Sequence, residues 1–187
     1  MQEKELIKEC INGNRSAQHL LYNKYAGMML GVCYRYTKNI ADAEDILQEG
    51  FIKVFTRLHQ YKFNGELGAW IRKIMVNTAI TYLNKHNRYK RELQIEDILL
   101  HPVSDDNPEI HIDTKQMVEI IRELPLIYQT VFNLVAVEGY NHIEAAKLLN
   151  VNENTIRSQY SRARTLLIQA LKKISEQTEK QNYAGRI

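Results

Sequence analysis

From Leu124 to Lys173 the apolar residues recur at three- and four-residue steps, a spacing that admits helices and little else. Ile156, Tyr160, Ala163, Leu167, Ala170, Leu171 and Ile174 mark one face of a long helix, and Arg157, Ser158, Ser161, Arg162 and Thr165 fall opposite. Pro125 suits the first turn of a preceding helix through Tyr128, Val131, Phe132, Leu134 and Val135, and Gly139 is placed to end it. Asn141 with Glu144 three residues on forms a capping-box pattern for a short helix to Leu149. Asn150-Val151-Asn152 makes the next turn: Asn150 tolerates the left-handed conformation and Asn152 suits an N-cap. Ala145 and Ala146 are small enough for two helices to cross closely. The unit therefore reads as a helix-turn-helix whose last helix packs by one face and presents donors by the other. Arg and Ser bond base edges and phosphates, and no carboxylate interrupts that face after Glu153. The competing reading is a plain helical hairpin with a solvated Arg/Ser face.

Charge distribution points the same way. The net charge is only +3, but Lys85, Arg88, Lys90 and Arg91 form one basic cluster and Arg157, Arg162 and Arg164 another. Between Arg91 and Lys115 there is no Lys or Arg, and that gap holds Glu92, Glu96, Asp97, Asp105, Asp106, Glu109 and Asp113. Two basic regions separated by an acidic stretch imply two nucleic-acid contacts joined by something different. Residues 92–113, with Pro102, Pro108 and the Asp105-Asp106-Asn107 turn, form that linker.

Ahead of the linker, Ala17, Leu20, Leu21, Tyr25, Met28, Met29, Val32 and Tyr36 describe one amphipathic helix. Asn39 suits the N-cap of a second, with Ala43, Leu47, Phe51, Val54 and Leu58 inward and an acidic outer face of Asp42, Asp45, Gln48 and Glu49. That face is chemically wrong for DNA and reads either as solubilising charge or as a dock for a basic partner. After a loop at Tyr61–Glu66, a third long helix runs from about Gly68 to Arg88. Its polar stripe of Trp70, Lys73, Asn77, Thr81, Asn84 and Arg88 holds amides, hydroxyl and cations but no acid, chemistry suited to nucleic acid. Trp70 reads first as half-buried packing, and Phe63 with Asn64 offers an aromatic face and an amide to an unstacked base. No alternating run indicates a strand, so the expected fold is all-α: an N-terminal helical bundle and a C-terminal helix-turn-helix domain on a flexible acidic linker.

Several classes are disfavoured. Cys10 and Cys33 have neither metal nor redox spacing and read as reduced thiols. His101 and His111 lie near acids, but their spacing matches no helical ligand pair, so no metal or cofactor is expected. No Ser/His/Asp set or Gly-rich phosphate loop suggests an enzyme. The N-terminal MQEKELIKEC carries no apolar signal core and no apolar run spans a bilayer, which gives an expectation of a cytoplasmic protein without membrane insertion.

These residues carry a resemblance. Asp42-Ala43-Glu44-Asp45-Ile46-Leu47-Gln48-Glu49-Gly50-Phe51 looks like region 2.2 of bacterial sigma factors, and Gly65 through Trp70-Ile71-Arg72-Lys73 to Ala79 is similar to regions 2.3 and 2.4. Thr155-Ile156-Arg157-Ser158 with Tyr160-Ser161-Arg162-Ala163-Arg164 resembles region 4. The compact length points to the extracytoplasmic-function (group IV) class. The resemblance implies domains at 1–91 and 114–175, with the linker at 92–113 and a polar, frayed tail at 176–187. It implies that Asp45, Gln48 and Glu49 dock on the clamp helices of the polymerase largest subunit, with the polymerase flap a further partner surface. Phe63 and Asn64 would capture a flipped base of the −10 element, Asn77 would read it, Lys73 would contact the same DNA, and Lys85 and Arg88 would hold phosphates. Arg157, Ser158, Ser161, Arg162 and Arg164 would enter the major groove at the −35 element. The implied partners are core RNA polymerase, promoter DNA as duplex and as melted strand, and an anti-sigma or other recruiting factor. Asn150 and Asn154 stand where the family often has Gly, and Thr81 and Asn84 depart from its usual −10 face. The alternative function is a stand-alone helix-turn-helix regulator with a dimer face or pocket in residues 1–90.

Overall fold

The computed structural model describes residues 2–86 and 113–184, with side chains of the last helix described through 175. Among the described residues every regular element is helical. The chain divides into two units, Met1–Asn87 and Arg88–Ile187. The linker expectations, Arg88, Lys90, Arg91, His101 and His111 lie outside the described residues.

The first unit comprises α1 (Glu3–Ile11), α2 (Arg15–Tyr34), α3 (Ile40–Arg57) closing in a 3-10 turn (Leu58–Gln60), and α4 (Leu67–Lys85). Helices α2, α3 and α4 pack on one another, and α1 packs on α2 and the 3-10 turn. The decapeptide read only for its lack of a signal core thus forms a helix that buries Leu6, Ile7 and Cys10. Asn14 caps α2 by accepting from Ser16 N and Ala17 N, and Asn39 caps α3 by accepting from Asp42 N at 2.8 Å. The inward set of α3 is buried as its spacing predicts. In α4, Leu67, Val76 and Ile80 add to the predicted apolar side, which leaves only a narrow polar arc.

Two expectations fail in this unit. Leu20 (54% exposed) and Met28 (65%) face outward. The buried row of α2 steps by four through Ala17, Leu21, Tyr25, Met29 and Cys33, and Leu20 and Met28 each precede a member of that row by one residue, about 100° round the helix from it. Asp42 is not on the outer face: it is buried, accepting from Asn39 Nδ2 at 2.9 Å and from the Tyr82 hydroxyl at 2.7 Å. A carboxylate at N3 of a capped helix gains from the helix dipole, and the phenol from α4 supplies a donor across the core. Gly50 is the close-approach point of α3 and α4. A Cβ there would lie 2.2 Å from Met75 Sδ.

The second unit comprises α5 (Thr114–Glu123), α6 (Leu126–Phe132) running into a π turn (Asn133–Val137), α7 (His142–Leu149) and α8 (Glu153–Ala184). Both α6 and α7 pack on α8. Asp113 and Gln116 form a capping box on α5, and Asn141 and Glu144 form the predicted one on α7. Pro125 is the N-cap of α6 rather than a first-turn residue, since the chain is still extended there at ψ 141°. Gly139 at φ +76° ends the π turn, and Asn150 takes the left-handed conformation at φ +52°. The expected frayed tail is instead continuous with α8 to Ala184, because no helix breaker occurs before Gly185. The core of this unit includes Leu134, Ala145, Ile156 and Ala163 together with buried Gln129, Thr130, Asn133 and Gln159.

Cys10 and Cys33 are buried and unpaired. Burial pushes the Cys33 thiol up to about 12 and raises Cys10 as well, with Glu9 adding to the latter. A thiol-reactive disulfide reagent at pH 8 is therefore expected to leave both unmodified in the native chain and to label both on unfolding; rapid native labelling would contradict this burial. Tyr82→Phe removes a donor from buried Asp42 and is expected to cost about 1–3 kcal/mol in urea unfolding of the first unit.

Candidate nucleic-acid interfaces

The exposed arc of α3 carries Glu44, Asp45, Gln48, Glu49 and Ile52. Glu49 pairs with Lys53 at 2.7 Å, and Lys53 also donates to the buried Thr78 hydroxyl at 3.3 Å. Lys53 is thereby turned toward α4, leaving Asp45, Gln48 and Glu49 as an acidic and amide surface with Ile52 at its end. This arc suits a partner helix bearing cations and some apolar area.

Lys73, Thr81, Asn84 and Lys85 are exposed along α4, and Asn77 is half-buried. At about 100° per residue, Lys73, Asn84, Asn77 and Thr81 fall within an arc of about 80°. The stripe predicted from spacing is thus one continuous strip, but one member is diminished. The Thr81 hydroxyl donates to the Asn77 carbonyl at 2.8 Å, so it is occupied by its own helix.

The loop before α4 is organised by an aromatic residue that sequence reasoning passed over. Tyr61 is buried between Phe63 and Trp70, at ring-centroid distances of 5.0 and 5.6 Å, and its hydroxyl donates to Gly65 O at 2.5 Å. These contacts close a tight loop in which Phe63 adopts φ +57° and Gly65 φ +111°. A positive φ on Phe is uncommon and persists only where the surroundings hold it. Beside the loop lies a cavity of about 400 Å³ lined by Tyr61, Lys62, Asn64, Trp70 and Lys73 among others. The volume falls in the range of small-molecule sites. Aromatic walls, the Asn64 amide and the ammonium groups of Lys62 and Lys73 suit a base with its phosphate, while the lining carboxylate of Glu66 repels a phosphate on its own side. Asn64 and Lys73 come together here, and so does Trp70, whose half-buried ring both packs on Tyr61 and faces the cavity. Phe63 is not among the lining residues: it is 49% exposed on the same loop, with Lys4 of α1 5.9 Å from its ring centroid. The available signal for Tyr61 was the run Tyr61-Lys62-Phe63 ahead of Trp70; nothing in sequence linked Lys4 to Phe63.

In the second unit Ile156, Gln159, Ala163 and Leu167 bury one side of α8. Arg157, Ser158, Ser161, Arg162 and Arg164 are all exposed. With the half-buried Thr165 they span an arc of about 160° opposite the buried one. Asn152 caps the helix, its Oδ1 accepting from Asn154 N at 2.8 Å. Ser158 Oγ donates to Thr155 O at 2.9 Å and Thr165 Oγ1 to Ser161 O at 3.1 Å, leaving the arginines as the long donors of the face. Arg162 Nη1 lies 3.5 Å from the Tyr128 hydroxyl on α6, and Arg157 is tied to Glu153. Tyr160 packs on Phe132 and His142, and this aromatic contact between α6, α7 and α8 fixes the angle at which the exposed face is presented.

Comparison with known proteins places both units. A sigma-70 region 2 model matches residues 21–89 and a sigma-70 region 4 model matches residues 114–167. The ECF RNA polymerase sigma factor SigE of Mycolicibacterium smegmatis is 30% identical over 162 residues, covering 84% of this chain; the chain spans 63% of that relative's length. The ECF RNA polymerase sigma-E factor of Haemophilus influenzae is 26% identical over 176 residues, covering 88% of this chain and 93% of the relative. The sigma factor RpoE of Bartonella quintana, solved with the anti-sigma factor NepR, shares the fold at a TM-score of 0.50 and 19% identity, covering 82% of this chain and 96% of that one. With both regions matched in order, the chain belongs to the sigma-70 family, and the relatives it resembles over most of its length are extracytoplasmic-function sigma factors.

Proposed function

We propose that this chain recruits core RNA polymerase to particular promoters through separate surfaces for polymerase, for the −10 element and for the −35 element. Residues 1–91 dock on polymerase and melt the −10 element, 92–113 connect, 114–175 read the −35 element, and 176–187 form a tail. Asp45, Gln48 and Glu49 on α3 engage the clamp helices of the largest subunit, and the second unit meets the flap. Asn64, Trp70 and Lys73 line the cavity that receives a flipped base, and Phe63 on the same loop helps to capture it. Asn77 reads this element, while Lys85 and Arg88 hold the backbone. Arg157, Ser158, Ser161, Arg162 and Arg164 enter the major groove. The observation that carries this reading is the division of α8 into a buried apolar arc and an exposed arc with no acid beyond Glu153.

The role is one of recognition, with the chemistry left to polymerase, and its place of action is the cytoplasm; among the described residues no helix is long and apolar enough to cross a membrane. The complex of the Bartonella quintana relative with NepR supports an anti-sigma factor or other recruiting factor as a further partner.

The test is run-off transcription by core polymerase, with and without the chain, on pooled genomic promoter fragments. New chain-dependent start sites are expected. Polymerase-independent duplex binding without new transcripts would overturn the proposal in favour of a stand-alone regulator. Charge reversal at Asp45 and Glu49 together is expected to abolish co-purification with core polymerase. Arg162→Ala is expected to cost about 1–3 kcal/mol at a base-specific −35 position. Lys73→Ala should weaken all promoters alike and reduce the slope of log K against log salt by about 1, as expected when a phosphate contact is lost.

A further inference from the structure

The guanidinium of Arg157 is held in a fixed direction. Glu153 Oε1 accepts from Arg157 Nε at 2.9 Å and from Nη2 at 2.6 Å. The two residues are one helical turn apart, with side chains 59% exposed for Arg157 and 34% for Glu153. Glu153 is the first residue of α8, where the helix dipole favours its charge, and the Asn152 cap fixes the backbone on which it sits. The carboxylate thus occupies one edge of the guanidinium, the edge made by Nε and one hydrogen of Nη2. The other edge, made by Nη1 and the second hydrogen of Nη2, is the pair whose spacing matches two acceptors on a guanine, O6 and N7.

Resting on the reading of α8 as the −35 helix, we propose that Glu153 is a specificity-determining positioning residue that aims Arg157 at a guanine. An unrestrained arginine at the rim of a groove has phosphates on both sides that it can reach equally well, and such contacts carry no sequence information. A carboxylate on the Nε edge removes that freedom by orienting the fork inward, and its own charge repels phosphate. Glu153 therefore contributes to base choice while opposing general DNA affinity. The i, i+4 spacing alone is common on helix surfaces and worth little to stability. What singles this pair out is that both nitrogens of one guanidinium edge converge on one oxygen, at the start of the only arc of α8 that carries exposed arginines.

The experiment uses holoenzyme assembled from core polymerase and the full chain, transcribing a promoter library randomised across the −35 element. Wild type, Arg157→Ala, Glu153→Ala and Glu153→Gln are compared, with thermal unfolding of each variant checked first; Glu153→Gln carries the test if alanine disturbs the helix start. Arg157→Ala identifies the guanine by losing preference for it alone. The Glu153 variant is expected to lose preference at that same base pair by at least about fivefold, the discrimination a bidentate arginine–guanine contact carries. It should keep the other base preferences and bind nonspecific duplex no more weakly than wild type. Retention of the guanine preference in the Glu153 variant would overturn the proposal, as would a changed preference at a different base pair, which would make Glu153 itself the reader. If Arg157→Ala leaves every base preference intact, Arg157 reads no base and the proposal falls, whereas the assignment of α8 falls only if Arg162→Ala also leaves every −35 preference intact.

Discussion

The first unit depends on the absence of a side chain at Gly50. Met75 Sδ sits where a Cβ would be, so the thioether of α4 lies directly against the backbone of α3. A glycine inside a helix sacrifices about 0.5–1 kcal/mol relative to alanine. Its place midway along α3 is explained by packing and not by helix propensity. The consequence reaches both surfaces of the unit. The acidic arc of α3 and the polar stripe of α4 each face away from this contact, so the packing of α3 on α4 holds the two surfaces apart. The Asp42–Tyr82 hydrogen bond ties the same two helices a second time, nearer the start of α3 and the end of α4. A charged group in the core is tolerated because donors from Asn39 and Tyr82 meet it.

Much of this was legible from spacing. Helix type, the two asparagine caps at Asn39 and Asn141, the left-handed Asn150, and the two-sided character of α8 follow from local rules that tertiary context did not override. The misses share a cause. Leu20 and Met28 are apolar and correctly spaced for a helix, but which side of the stripe is covered depends on the crossing partner, which spacing cannot supply. Asp42 looked outward because it is acidic, and its burial required knowledge of Tyr82, forty residues along the chain. Gln129, Asn133 and Gln159 were invisible to an apolar template, yet they lie in the core of the second unit, where amides mix with Leu134 and Ile156.

The candidate sites divide in the same way. The α8 face was readable because a single helix carries all of it. The cavity beside the loop was only half readable, since it joins residues from the loop and from the first turns of α4. Phe63 and Asn64 were visible as loop residues of suitable chemistry, but Tyr61, which closes the loop through Gly65 and stacks both neighbours, emerged only in three dimensions.

The length of α8 has a mechanical meaning. At about 1.5 Å per residue, a helix from Glu153 to Ala184 is a rod of about 48 Å. The arginines lie in its first half, where Tyr160 packs on Phe132 and His142 and Ala163 and Leu167 are buried. The remainder runs on past the aromatic cluster as unbroken helix to Ala184, so the backbone under the arginine face and the backbone at the far end are one helical element with no joint between them.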